Sequence, residues 1–242
     1  DVIIIGAGPA GLSTANYLGM AGIRTTLIER NPSTVNEPRA VSIDDESLRS
    51  MQTLGLVDRI VERTLPGYGS RYYSPGHREF ARVKPKTVEF GHPRRSGFHQ
   101  PELEATLLDG LKRFPNVRVW FEHEFEKYEQ DVKGVTVTVR DPDGVAKRVR
   151  GAFLAGCDGG RSSIRSAIGA ALVGSSFEER WLVFDTVNDF DDTPDSVAHC
   201  DHRRPAITLP GIGKTRRWEF VVHPGENADE FLKPETITRL LH

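Results

Sequence analysis

The chain has 242 residues, of which 38% are hydrophobic, and its 32 basic and 34 acidic residues leave a net charge of −2. This length suits one large globular domain or two small ones, and the balanced charge gives no reason to expect a nucleic-acid or membrane-surface partner. No apolar run is long enough to span a bilayer, and two cysteines, Cys157 and Cys200, are too few for a disulfide framework. We therefore expect a cytoplasmic protein.

The opening stretch, DVIIIGAGPAGLSTANYLGMAGIRTTLIER, combines a predicted strand, a glycine-rich turn and a helix. The apolar run Val2–Ile5 leads directly into Gly6, Gly8 and Gly11, which have the spacing G-x-G-x-x-G. In this motif the first glycine permits a tight turn, the second lets the backbone approach a pyrophosphate, and the third lets the helix pack closely on the sheet. A turn that binds nothing is the structural alternative, but the flanking strand and helix favour a dinucleotide site.

The predicted helix has Pro9 in its first turn and ends near Gly22, and a second strand, Thr25–Ile28, follows. Glu29 closes that strand and follows Gly11 by 18 residues, close to the spacing of about 20 expected for the acid that binds an adenosine ribose. An acid here disfavours a 2′-phosphate, so the predicted ligand ends in unphosphorylated ADP, as FAD and NAD do. The positive end of the helix dipole supplies the anion site.

The middle of the chain is predicted to hold two helices separated by a small sheet. The first helix opens at Asp44 and Asp45 and is followed by Gly55 as a C-cap, and the second covers residues 101–114, with leucines at four-residue spacing. Gln100 stands where Ser, Thr, Asp or Asn would cap that helix better. Two explanations stay open: another group caps the helix, or the long amide is directed at a ligand.

Strands and turns alternate after residue 116 and form a predicted antiparallel meander attached to the parallel sheet. Residues 153–157 form a short apolar strand that ends in Asp158, and a glycine turn and a helix follow. An acid at the carboxyl end of a parallel strand faces the crevice where ligands bind. Four more strand-like segments lie beyond Gly174. The chain starts inside a strand without Met and stops at His242 within a helical pattern, so we expect both ends to be cut from a longer protein.

Two other motifs resemble ligand sites but are interpreted as ordinary strand and turn segments. The Gly-Lys-Thr of residues 213–215 resembles the end of a phosphate loop, but Thr208 stands where its first glycine belongs, so a hairpin turn is predicted. Residues 199–202 offer four side chains that could bind a metal, yet neighbours on a strand point to opposite faces, and no metal is predicted.

Four segments carry a resemblance to a known family: GAGPAG with Glu29, PRAVSIDDESLRSMQTLGLVD from Pro38, FGHPRRSGFHQPELE from Phe90 and GCDGGRSSIR from Gly156. On these segments the chain resembles the single-component flavin aromatic hydroxylases of the p-hydroxybenzoate hydroxylase superfamily, and most of all its phenylpropionate hydroxylases. The resemblance implies an α/β fold, with a Rossmann-like FAD-binding parallel sheet, an antiparallel meander and a substrate-domain β-sheet.

Changes in composition, with short strand-like segments over residues 65–97 and again beyond Gly174, predict the domain boundaries. Residues 1–66 and 97–174 would form a discontinuous FAD-binding domain, and residues 67–96 and 175–242 would form the substrate-domain sheet. That second domain is expected to be truncated, because the family's second flavin motif, a Gly-Asp followed by Ala-Ala-His, is missing.

The resemblance also implies the cofactor contacts. Arg39 is expected to contact the pyrophosphate and ribitol region, Gln100 the ribitol, and the backbone near Phe125 the adenine, while Asp158 would serve both FAD and nicotinamide binding. The full set of expected cofactor-binding residues is Gly6, Gly8, Pro9, Ala10, Gly11, Glu29, Arg30, Arg39, Gln100, Phe125 and Asp158. No catalytic residue is predicted.

The activity that the resemblance implies is hydroxylation of a phenolic, phenylpropionate-like substrate. NAD(P)H would reduce FAD, O2 would form a flavin C4a-hydroperoxide, and its distal oxygen would pass to the ring. The choice between NADH and NADPH stays open, as does homo-oligomerisation. The alternatives are a tailoring oxygenase or epoxidase of the same superfamily and a catalytically incomplete FAD-binding fragment.

Overall fold

The computed structural model of the protein describes residues 1–241, in which six α-helices and sixteen β-strands form. The helices are α1 (Pro9–Met20), α2 (Asp45–Thr53), α3 (Val57–Val61), α4 (Gln100–Gly110), α5 (Ser163–Ala167) and α6 (Pro234–Leu241). The strands are β1 (Val2–Ile5), β2 (Thr25–Ile28), β3 (Ser42–Asp44), β4 (Thr64–Pro66), β5 (Ser70–Ser74), β6 (Arg78–Val83), β7 (Arg95–Phe98), β8 (Val117–Trp120), β9 (Glu124–Asp131), β10 (Gly134–Arg140), β11 (Ala146–Gly151), β12 (Phe153–Gly156), β13 (Arg180–Thr186), β14 (Ser196–His199), β15 (Ala206–Pro210) and β16 (Arg216–Val222). No helix among these is long and apolar enough to cross a membrane.

The described chain forms two compact units, each built from separate chain segments. Unit 1 contains Asp1–Ala40, Ser47–Glu62 and His99–Val173, and unit 2 contains Val41–Glu46, Arg63–Phe98 and the described chain from Gly174 onward. The predicted α/β fold class is confirmed. The assignment of cofactor and substrate roles to separate domains stays a prediction.

Unit 1 is organised around a four-stranded parallel sheet in the order β12-β1-β2-β8. In the register of this sheet, Ile5 at the end of β1 pairs with Ile28 on one side and Gly156 on the other. The three strands therefore end at the same edge, and the chain leaves them at Gly6, at Glu29 and at Cys157. This edge is where ligands bind in open α/β sheets.

The glycine turn after β1 brings backbone atoms into direct contact. Gly6 has a φ of +102°, and a Cβ at Gly11 would lie 1.9 Å from the carbonyl oxygen of Gly6. Only glycine can occupy position 11, because a side chain there would push α1 away from the end of β1. At Gly8, by contrast, an added Cβ would meet no atom within 4 Å. The open space beside the turn thus lies at the middle glycine of the motif.

The antiparallel meander of unit 1 has the order β11-β10-β9. Its central strand contributes Val135, Val137 and Val139 to a buried cluster that also contains Ile3 and Ile28 from the parallel sheet. Apolar side chains at every second residue of β10 give one buried face, which is why this strand covers the sheet. The predicted meander is therefore present, and β8 belongs to the parallel sheet instead.

The helices of unit 1 differ from the sequence-based expectation in two details. The helix predicted for residues 101–114 begins one residue earlier, at Gln100, with His99 at the N-cap, and it ends at Gly110 before a short 3-10 segment, Leu111–Arg113. Asn16 of α1 is fully buried, because its amide donates to the carbonyl oxygens of Leu12 and Leu107. This bridge joins α1 to α4.

Unit 2 contains two sheets, and the three-stranded one was not predicted from the sequence. The larger has six strands in the order β13-β16-β15-β14-β5-β6, and the smaller has the order β3-β7-β4. On one face of β16, Trp218 and Phe220 pack with Phe184 of β13 and with Leu240 of α6. The predicted C-terminal helix is present as α6, and its last expected residue, His242, lies outside the described residues.

Substitution of Gly11 by alanine should destabilise the fold by about 3 kcal/mol, because the new methyl group overlaps a backbone carbonyl that cannot move without opening the turn. Urea unfolding of the full-length protein measures this. Gly8→Ala is the matched control, and it should cost less than about 1 kcal/mol, since only the capping preference of glycine over alanine is lost. Equal losses in the two variants would contradict the contact between Gly11 and Gly6.

Candidate functional site

A cavity of about 310 Å³ lies within unit 1 at the carboxyl edge of the parallel sheet. All but one of the cofactor-binding residues predicted from the sequence line it: Gly6, Gly8, Pro9, Ala10, Glu29, Arg30, Arg39, Gln100, Phe125 and Asp158. Gly11 does not line the cavity, because it faces the carbonyl oxygen of Gly6. Residues that are 152 positions apart in the sequence, Gly6 and Asp158, thus meet around one space.

The N-terminus of α1 opens onto this cavity. Gly8 is the N-cap, Pro9 occupies the first turn, no side chain caps the helix, and the first turn contains no acid. The first intrahelical bond runs from the N–H of Leu12 to the carbonyl oxygen of Gly8, so the N–H groups that precede Leu12 have no partner within the helix. Together with the helix dipole, these groups favour a bound anion.

Glu29 clamps the glycine turn to the loop that follows β2. Its Oε2 accepts a hydrogen bond of 2.8 Å from the N–H of Ala7, and its Oε1 accepts from the N–H and the Nδ2 of Asn31, at 2.9 and 2.7 Å. A carboxylate has about four acceptor positions. To accept both hydroxyls of a ribose, Glu29 would therefore have to release one of these three bonds.

Gln100 is buried at the edge of the cavity and ties α4 to the loop that carries Arg39. Its Oε1 accepts from the N–H groups of Arg39 and Ala40, at 3.1 and 2.8 Å, and its Nε2 donates to Glu104 at 2.8 Å. The amide thus does not cap α4. It holds a neighbouring segment while lining the cavity.

Asp158 lies after β12 and accepts hydrogen bonds at the start of the short helix α5, whose N-cap is Ser162. Its Oδ1 accepts from the hydroxyl of Ser162, and its Oδ2 accepts from the N–H groups of Ser163 and Ile164, at 2.6 and 3.2 Å. Burial tends to raise the pKa of Asp158, but the hydrogen bonds from Ser162, Ile164 and Ser163 outweigh it, and the net pKa is lowered. Asp158 is therefore held as a carboxylate beside the cavity.

Several lining residues were missed by the sequence analysis, among them Asn31, Val35, Glu104, His123, Cys157 and Arg161. Glu104 could have been found, because it follows Gln100 by four residues and so lies on the same face of a helix. Cys157 is half-buried, and burial raises the pKa of its thiol. Within residues 1–241, no group of three or more His, Cys, Asp or Glu side chains is arranged to hold a metal ion.

Comparison with known families matches the FAD binding domain family over residues 1–241. The chain belongs to this family. FAD is therefore its cofactor, as the sequence predicted. The cavity fits the ADP end of FAD, because open space lies beside Gly8, the N-terminus of α1 has no side-chain cap, and the acid Glu29 lies at the end of β2.

Curated relatives of this FAD-binding chain include two enzymes named 3-(3-hydroxy-phenyl)propionate/3-hydroxycinnamic acid hydroxylase. The enzyme of Comamonas testosteroni is 41% identical over 241 residues, which cover 100% of this chain and 41% of that protein. The enzyme of Klebsiella pneumoniae is 42% identical, over 100% of this chain and 44% of that protein. The resemblance to flavin aromatic hydroxylases is confirmed, and the chain spans less than half the length of these relatives.

Two solved structures of oxygenating enzymes share the fold of this FAD-binding chain. The p-nitrophenol 4-monooxygenase of Pseudomonas putida has a TM-score of 0.87 and 26% identity, over 99% of this chain and 62% of that one. A ternary complex of aklavinone-11 hydroxylase with FAD and aklavinone has a TM-score of 0.81 and 21% identity, over 100% of this chain and 49% of that one. The second likeness shows the fold alone.

Glu29→Ala should weaken FAD binding by about 1–3 kcal/mol, because a buried hydrogen-bonding group of the ligand loses its charged acceptor. It should also lower the stability of the apoprotein, since the N–H of Ala7 loses its partner. Flavin fluorescence titration of the full-length apoprotein and urea unfolding measure the two effects.

Asn31→Ala is the matched control for Glu29. It removes one hydrogen bond from the same carboxylate but leaves the charge in place, so FAD affinity should be retained. If Glu29→Ala and Asn31→Ala both bind FAD as the unaltered protein does, Glu29 is not a cofactor ligand.

Proposed function

We propose that the full-length protein is an FAD-dependent monooxygenase that hydroxylates a phenolic ring, with 3-(3-hydroxyphenyl)propionate or a similar phenylpropionate as substrate. The proposal rests mainly on the sequence of the chain, which is 41% identical over its whole length to an enzyme named as a hydroxylase of that substrate. The cavity lining, which suits the ADP end of FAD, supports it. In the overall reaction NAD(P)H supplies two electrons, one atom of O2 enters the ring, and the other leaves as water.

Bound FAD would supply the redox chemistry that activates O2. The chain's own residues would bind and orient this cofactor. The uncapped N-terminus of α1 would receive the pyrophosphate and Glu29 a ribose hydroxyl, while Gln100 and Arg39 would lie along the remainder of the dinucleotide. Gly6 and Gly11 would act indirectly, by allowing the turn that brings Gly8 to the pyrophosphate.

A phenylpropionate carries a carboxylate, and its binding away from water needs a cation, preferably an arginine. Four arginines of unit 2 are candidates for this cation, and each has a carboxylate partner. The pairs are Arg203 with Asp201, Arg204 with Glu226, Arg216 with Asp191, and Arg217 with Asp185. The choice among them therefore depends on where each guanidinium lies.

Arg216 and Arg217 are both buried. They lie on opposite faces of β16, because successive side chains of a strand alternate. Arg216 shares the aromatic face with Trp218, and it donates to the carbonyl oxygens of Asp191 and Thr193. Arg216 thus anchors the neighbouring loop.

Arg217 lies on the other face of β16, in a bidentate pair with Asp185 at 2.8 and 2.9 Å. Glu219 follows on this face, and burial raises its pKa. This face carries charged side chains and includes the exposed Asp185, so it suits a polar ligand better than an apolar core does. We therefore propose Arg217 as the partner of the substrate carboxylate.

The activity is tested with the full-length protein loaded with FAD. 3-(3-Hydroxyphenyl)propionate should stimulate NAD(P)H oxidation, and the dihydroxylated product should contain one oxygen atom from isotopically labelled O2. An uncharged alkylphenol and a polyketide phenol serve as comparison substrates. Failure of every phenol to stimulate oxidation, or an epoxide as the labelled product, would contradict the proposal and favour a tailoring oxygenase.

Substitution of Arg217 by alanine should raise the KM for the phenylpropionate at least about tenfold more than the KM for the alkylphenol, because only the first loses a charged partner. Asp185→Asn removes the competing carboxylate and should leave the KM for the phenylpropionate unchanged or lower it. If both variants raise the two KM values alike, the pair of Arg217 and Asp185 is structural only.

A further inference from the structure

Glu104 is a carboxylate buried beside the cofactor cavity, with 1% of its surface exposed. Its Oε1 accepts from the Nε2 of Gln100 at 2.8 Å, and its Oε2 accepts from the N–H of Val35 at 3.2 Å. A buried carboxylate costs far more than an apolar side chain of the same size unless its hydrogen bonds are specific. The presence of a carboxylate at position 104 must therefore be explained by its hydrogen bonds with Gln100 and Val35.

One acid and one amide of α4 hold a loop at both of its ends. Residues 35–40 form no helix or strand, and this loop carries Arg39 to the cavity. Glu104 accepts from Val35 at the start of the loop, and Gln100 accepts from Arg39 and Ala40 at its end. The loop thus depends on α4 for three of its backbone hydrogen bonds.

The donor and acceptor roles in this network have one consistent arrangement. Backbone N–H groups can only donate, so the atoms that face Arg39, Ala40 and Val35 must be acceptors. The amide oxygen of Gln100 meets the first two, which turns its NH2 group toward residue 104. Residue 104 must then accept from Gln100 and from Val35 on two separate atoms, as a carboxylate does and an amide does not.

We propose that Glu104 is a positioning residue for FAD: it orients the amide of Gln100 and, with it, fixes residues 35–40 so that Arg39 stays at the cofactor cavity. This inference rests on the proposed placement of FAD in that cavity. Glu104 acts through Gln100 and the loop, and its negative charge is needed only to provide two acceptors in the right order.

The order of donors and acceptors can be tested by exchanging the two side chains. In Glu104→Gln a donor faces either Val35 or Gln100, and in Gln100→Glu two carboxylates face each other. In the double variant Q100E/E104Q, a carboxylate at position 100 accepts from Arg39, Ala40 and the new amide, whose oxygen accepts from Val35. Every hydrogen bond of the network is then restored with the charge at the other position.

The full-length apoprotein and its variants are titrated with FAD by flavin fluorescence, and their unfolding in urea is measured in parallel. Each single variant should bind FAD at least about tenfold more weakly, the effect of one mismatched buried hydrogen bond. Because Gln100 itself lines the cavity, the double variant is compared with Gln100→Glu, and it should bind FAD at least about threefold more tightly than that single variant. Binding no tighter than that of Gln100→Glu overturns the proposal, and if Gln100→Glu does not fold, unaltered FAD binding in Glu104→Gln overturns it.

Two controls separate this proposal from its alternatives. Asn16→Leu removes a buried amide that also binds α4 but lies outside the cavity lining, so it should lower stability without lowering FAD affinity. Loss of FAD affinity in proportion to stability in both Asn16→Leu and Glu104→Gln would show a structural role only. Gly8→Val should abolish FAD binding, and if it does not, the placement of FAD itself is wrong.

Discussion

The contact on which unit 1 depends is the approach of Gly11 to the carbonyl oxygen of Gly6. It sets the first turn of α1 directly over the end of β1, and the direction of the helix dipole follows from that placement. The neighbouring strands end at the same edge, which brings Glu29 and Asp158 to the same space. One backbone contact therefore determines where an anion can bind and which acids surround it.

Three acids around the cavity share a physical role that their sequence positions do not suggest. Glu29, Glu104 and Asp158 each accept hydrogen bonds from backbone N–H groups of loops or helix ends. These donors offset part of the negative charge that would otherwise oppose a pyrophosphate. The same bonds hold the loops in place, so the shape of the cavity and its electrostatic potential are set by one group of interactions.

Much of unit 1 could be predicted from the sequence, because apolar runs such as Val2–Ile5 and Thr25–Ile28 and the glycine spacing are local signals. The strand Ser42–Asp44 could not, since three residues are too few to show alternation. Gln100 was placed at the cap of α4 because the helix start was set one residue late. Gln100 bonds with Arg39 and Ala40, and Asn16 bonds with Leu107. These bonds join segments that are far apart in the sequence, so no local sequence pattern predicts them.

The parallel sheet has a consequence for the order in which the chain can fold. β1 pairs with β12, so one edge of β1 can form its hydrogen bonds only after residues 153–156 have been synthesised. All of the unit 2 segment Arg63–Phe98 emerges from the ribosome in between. Pairing over such a distance closes a long loop and slows folding. During synthesis, the edge of Val2–Ile5 that pairs with β12 would therefore stay open to other contacts until more than half of this chain has been made, although its other edge can pair with β2 earlier.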